Sequence, residues 1–186
     1  MVGLLAVMGW AAIPTGMFIY LAAWLEQTFQ LTEAQVGLAF SAAGVGGIIG
    51  NTLTTLLADR MGKKRSALLG LLTVSVAAML LPHLPAIVAV LIGFAALVAA
   101  LEFGIASYST LMTELAPASR GTLMSLFSLV NGIGTGVVPL AMRPVWERGG
   151  YTIVTLVLGA VGLGTALTIG FFVTERRASV SDDLVE

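Results

Sequence analysis

Cysteine is missing from this sequence and histidine occurs once. The first absence excludes disulfides and thiolate metal sites. The second excludes any zinc motif that needs two imidazoles. Charge is scarce too: Lys, Arg, Asp and Glu make up 10% of 186 residues and leave a net charge of −1, against about 25% charged residues in a typical soluble domain. There is no basic surplus for nucleic acid. No G-x-x-x-x-G-K-[ST] stretch occurs, so the chain itself has no loop for nucleotide hydrolysis. The single histidine, His83, lies in the loop "PHLP", where it reads as solvated. An intramembrane serine protease needs a histidine inside a span, and none is there. Neither an enzymatic activity, nor a cofactor, nor a metal is expected.

What the chain has is apolar surface. Hydrophobic residues account for 58% of it, and the mean hydropathy is +0.99. A core for this length does not need so much, so the excess must face lipid. Charges and prolines cut the sequence into six apolar runs, at about 2–25, 34–58, 66–81, 86–113, 121–142 and 151–173. Most approach the roughly 20 residues that cross a bilayer as a helix. Lipid offers no partner to backbone polar groups, which favours helices; the long continuous runs lack the strict alternation of a β-barrel. The first run has no basic flank, so it reads as a span rather than a signal peptide. Connections such as "DRMGKKR", "PHLP", "ELAPASR" and "RPVWERGG" are too short for an extramembrane domain. A polar tail is expected over 174–186.

Basic residues set the orientation. Arg60, Lys63, Lys64, Arg65, Arg120, Arg176 and Arg177 fall on one side, and only Arg143 and Arg148 on the other. The "DRMGKKR" side and both termini are therefore expected in the cytoplasm, with the bundle in a plasma (inner) membrane. Tyr20, Trp24, Trp146 and Tyr151 then lie near the outer interface, as an aromatic belt requires.

The order of residues in "LADRMGKKR" adds more than charge. It resembles the cytoplasmic loop signature of the major facilitator superfamily, G-x-L-[AGS]-D-R-x-G-[RK]-[RK]. Leu57, Ala58, Asp59, Arg60, Gly62, Lys63 and Lys64 fit, while Thr55 stands in place of the leading glycine. The stretch lies between the second and third runs, where that family carries it. "ELAPASRGTLMSLFSLVNGIGTGVVP" is similar to the loop and fifth span of a facilitator half. The resemblance implies an all-α membrane protein with six transmembrane helices, a half bundle of two inverted three-helix repeats. It implies transport of a small solute by alternating access, with a second six-helix half as partner. Glu102, where N-terminal halves often carry arginine, suggests the C-terminal half. Two rivals remain: a membrane-embedded binding subunit of a multi-component importer, and a truncated half without activity.

Several residues do not suit lipid. Glu102 falls near the middle of the fourth run, where a carboxylate costs several kcal/mol unless paired or protonated. Its helical face continues through Ala106, Ser109 and Thr113. It is either a proton, cation or substrate site, or a structural acid bonded to another helix. Asn51, and Asn131 with Thr135, are either interhelical glue or substrate contacts. Gly46 with Gly50, and Gly132 with Gly136, have G-x-x-x-G spacing and are expected at close helix packing. Pro14 is expected to interrupt the first span or to be tolerated there, and Trp10 lines a cavity or packs. Around the basic loop, Asp59 with Arg120, or Arg60 with Glu114, is expected to act as a gate latch with the Gly62 turn, Lys63 and Lys64.

Overall fold

A computed structural model describes residues 2–115 and 120–172, with side chains over 8–114 and 120–171. The tail expected over 174–186, with Arg176 and Arg177, lies outside the described residues, as does Pro117. Within the described residues the chain is helical: α1 (Val2–Phe29), α2 (Glu33–Met61), α3 (Lys63–Leu80), a 3-10 turn (Leu81–His83), α4 (Ile87–Leu115) and α5 (Arg120–Phe172). All five helices are long and apolar enough to cross a membrane.

Local chemistry sets their ends. Thr32 and Gln35 form a capping box at the start of α2: the Thr32 hydroxyl accepts from the Gln35 backbone N–H, and the Gln35 side chain accepts from the Thr32 N–H at 2.9 Å. A single residue, Gly62 at φ 89°, separates α2 from α3. That left-handed backbone suits glycine alone without strain.

The expected loop "RPVWERGG" is instead helical up to Gly149, so α5 reads as 53 residues. At about 1.5 Å per residue this is near 80 Å, far beyond the ~30 Å hydrocarbon core. Gly150 breaks it, with φ 62° and ψ −162°, a region open only to glycine. Contacts with α1 show that the chain reverses there. Ala11, Gly16 and Tyr20 meet Gly134, Val138 and Pro139 in rising order, whereas Gly9, Gly16 and Trp24 meet Thr165, Leu158 and Tyr151 in falling order. The two arms of α5, residues 120–149 and 151–172, are therefore antiparallel, and both flank α1. The five helices supply six bilayer-length segments.

The packing exchanges partners between the halves of the chain. The first arm of α5 packs on α1, and α2 packs on α4, while α3 touches α4 and the second arm of α5. The core is filled by Trp10, Met17 and Leu21 of α1, Leu71 and Val74 of α3, Phe94, Leu97 and Tyr108 of α4, and Leu158 of α5. Helix α2 and the first arm of α5 bury few side chains fully, and their larger residues, such as Phe40, Phe127 and Trp146, pack on the core only in part. Both elements remain exposed along Leu38, Val45, Ile48, Leu129, Val137 and Leu140.

Two sequence expectations meet the structure here. Pro14 lies inside an unbroken α1, because the span gains enough packing on both arms of α5 to tolerate one lost backbone bond. Trp10 is fully buried, beside Gly104 and 6.5 Å from the Tyr108 ring. The aromatic residues placed at the outer interface stack on one another: Tyr20 with Trp146 at 5.2 Å and Trp24 with Tyr151 at 5.0 Å.

Candidate functional site

The seam between α2 and α4 is built on glycine. A Cβ on Gly46 would collide with the carbonyl of Ala95, and one on Gly50 with that of Ala99. The backbones thus lie in direct contact along the row Gly46, Gly50, Thr54, and Thr54 Oγ1 donates to the Phe103 carbonyl at 3.3 Å. Rows four residues apart form ridges on a helix. With one row engaged at the seam, its neighbour is left open: Gly47, Asn51 and Thr55 on α2, and Val98, Glu102, Ala106 and Thr110 on α4.

These open rows line a groove. One cleft of about 630 Å³ includes Gly44, Gly47, Asn51, Thr52, Thr55 and Glu102. A second of about 400 Å³ shares Asn51 and Thr55 and continues over Ala58, Asp59, Lys63 and Thr110. Together they run from mid-helix to the basic end of the bundle. Glu102 is half-buried at the centre of α4 and accepts a hydrogen bond from Asn51 Nδ2 at 3.1 Å. The Asn51 amide also donates to the Gly47 carbonyl at 3.3 Å.

The hydroxyls in the groove face a different way from the amide. Thr52, Thr55 and Thr110 donate to the carbonyls of Ile48, Asn51 and Ala106 on their own helices, at 2.8, 3.0 and 2.9 Å. Their protons are engaged, so their oxygens present lone pairs to the groove. Beside a carboxylate, this makes the wall rich in acceptors.

The mouth of the groove at the basic end holds an ion cluster. Lys63 Nζ bonds the Glu114 carboxylate and lies 3.6 Å from Asp59. The bond to Glu114 comes first among the causes that raise the Lys63 ammonium above its ordinary pKa; burial opposes it and Asp59 adds to it. The expected pairs, Asp59 with Arg120 and Arg60 with Glu114, are replaced by this one cation shared between two carboxylates. The physical reason is the one-residue Gly62 turn, which puts Lys63 in the first turn of α3, facing the end of α4. Arg60 and Arg120 are exposed.

The remaining sequence candidates lie elsewhere. Ser109 is half-buried on α4 and donates to the Ala106 carbonyl. Asn131 is half-buried in the first arm of α5, and Thr135, exposed, donates to its carbonyl. None of the three lines the α2/α4 groove. A Cβ on Gly132 or Gly136 would meet nothing among the described residues, so neither packs a helix there. Gly134, against Ala11 of α1, is the close approach in that arm. Thr52 and Thr110 are groove residues that sequence reasoning missed. Their only signal was the four-residue step from Ile48 and Ala106, which every helix residue shares.

The described residues thus form a bundle of bilayer-length helices with an open polar groove and a carboxylate at mid-helix, the build of an integral membrane protein. The Major Facilitator Superfamily profile matches residues 1–185, and the chain belongs to that family. It is 29% identical over 156 residues to the uncharacterized MFS-type transporter YwfA of Bacillus subtilis (strain 168), covering 83% of this chain and 38% of that protein. It is 27% identical over 126 residues to YceJ, another uncharacterized MFS-type transporter of the same organism, covering 64% of this chain and 31% of that one. The chain therefore spans well under half the length of the relatives it matches.

Proposed function

We propose that the chain is one six-span half of a proton-coupled secondary transporter, and that the α2/α4 groove is its side of the solute pathway. The observation that carries this reading is the Asn51–Glu102 hydrogen bond inside an open groove. Glu102 is the sole charged residue in the six apolar runs. A carboxylate at such a depth is costly, and the amide of Asn51 meets only part of its demand. A proton, or a donor group on the solute, meets the rest. The acceptor-rich wall favours solutes that present hydroxyls or ammonium groups.

The second half covers the exposed apolar faces of α2 and of the first arm of α5, the two elements that give least to this chain's own core. Rocking of the halves then exposes the groove to either side in turn. The Lys63–Glu114–Asp59 cluster works as a latch at the basic end, which faces the cytoplasm under the positive-inside rule. A proton gradient should drive uptake or efflux by the full transporter in vesicles, and Glu102→Gln should abolish the pH-driven part while exchange of solute at equal pH persists. Full pH-driven transport by Glu102→Gln would refute coupling through this residue.

A further inference from the structure

On the side of α3 away from the polar groove, the structure holds a second hollow with different chemistry. It is about 580 Å³ and lies between α3 and the second arm of α5, lined by Leu68, Leu72, Leu163, Ala166, Leu167 and Phe171 among others. Ala166 is the buried residue of this lining. Leu167 and Phe171 are exposed, Phe171 to 80%. An apolar surface toward lipid is ordinary in a membrane protein; an apolar hollow of this volume with charge at one end is not.

The charge is at the basic end of the bundle. Lys64 and Arg65 occupy the first turn of α3, one turn before Leu68. Lys64 Nζ donates to the Gly170 carbonyl at 2.8 Å, one of the last carbonyls of α5. That bond spans the hollow's rim and fixes the ammonium there. An ammonium has three donors, so two remain. Arg65 follows it, exposed. A long apolar trough beneath two cations at the membrane surface matches a lipid with acyl chains and an anionic head, and basic pockets between helices bind such head groups.

We propose that this hollow is a binding site for an anionic phospholipid, whose acyl chain lies along the α3/α5 trough and whose phosphate meets Lys64 and Arg65. The site is separate from the solute groove and does not depend on its assignment. Bound there, a lipid ties the start of α3 to the end of α5.

The test uses the full-length transporter in phosphatidylcholine bilayers doped with phosphatidylglycerol that carries a photoactivatable acyl chain. After illumination, cross-linked peptides are mapped by mass spectrometry. Labels are expected over residues 67–72 and 163–171, several-fold more than from phosphatidylcholine with the same photoactivatable chain. The pair Lys64→Gln and Arg65→Gln should lower that yield several-fold, while Arg143→Gln, at the opposite end, should not. Leu167→Trp keeps both cations and fills the trough, so it should lower the yield as well; it serves if the charge variant does not fold. Equal labelling by the two lipids, or labelling unchanged by these variants, would overturn the proposal. So would an unlabelled trough, which would mean that protein covers it.

Discussion

Glu102 and Gly50 show how differently a groove residue and a seam residue of the same helix pair are constrained. Glu102 is held by one amide and faces an open groove, so its replacement changes chemistry more than folding. Gly50 has the backbone of α4 where a side chain would stand. Overpacking a seam of this kind typically costs about 1–3 kcal/mol. Gly50→Leu should therefore lower the thermal stability of the transporter in detergent, read as a lower unfolding midpoint. Gly44→Ala on the same helix should not lower it, because a Cβ there meets nothing and alanine favours the helix. A tolerant Gly50 would mean that α2 and α4 stand further apart than the structure has them. Spacing made Gly50 and Gly136 look alike in the sequence, since both are half of a G-x-x-x-G. Among the described residues, only one of the two motifs meets a neighbour.

At the scale of elements, the start of α3 carries an electrostatic conflict. Lys63, Lys64 and Arg65 lie at a helix N-terminus, where the macrodipole disfavours cations. The structure relieves it by directing Lys63 to Glu114 and Asp59, and Lys64 to a carbonyl at the negative end of α5. The Lys63–Glu114 pair is partly exposed, with 20% and 50% of the side chains accessible. Pairs of that kind contribute about 1 kcal/mol or less. Its pH dependence has a definite sign. Lys63 is raised above 10.5 in the folded protein, so its contribution is fully present below that value and is lost as pH rises through the raised one. The difference in unfolding midpoint between the native protein and Lys63→Gln should be constant from neutral pH to about 10 and shrink above it. For the latch, Lys63→Glu should shift the balance between inward-open and outward-open forms, and adding Glu114→Lys should restore it. No change in accessibility with Lys63→Glu would remove the latch. The basic loop was plain in the sequence, but the sequence paired its carboxylates with the wrong cations. Helical spacing does not say which side chain of a tight turn faces the next helix.

For the whole molecule, the proposed reading gives the bundle a wet face at the α2/α4 groove and a lipid face at the α3/α5 trough. The absence of cysteine lets engineered ones report alone in this part of the protein. In the full transporter with any other cysteines replaced, a cysteine at Thr52 should react with aqueous thiol reagents, and added solute should slow the reaction. A cysteine at Leu167, in the α3/α5 trough, should be protected. Rapid aqueous labelling at Leu167, or none at Thr52, would reverse the assignment of the two faces. The six apolar runs fall on five helices, the last two of them in a single helix broken at Gly150. The turn is so tight that helical geometry continues through the charged residues before it.

The sequence by itself determined that this protein lives in a membrane, that it is helical, and which end of the bundle is basic. These follow from composition over windows of about 20 residues, because the cost of leaving backbone groups and charges in lipid depends on little else. It also located the mid-span carboxylate and, through the order of residues in one loop, the family. Only the tertiary structure decided that Asn51 meets Glu102, that Trp10 is buried, that α1 runs unbroken through Pro14, and which edge of α4 opens onto a groove. A soluble helix announces its buried face by contrast with a polar one. Here the faces toward lipid and toward the core are both apolar, so periodicity carries no contrast, and the faces are told apart only by what packs against them.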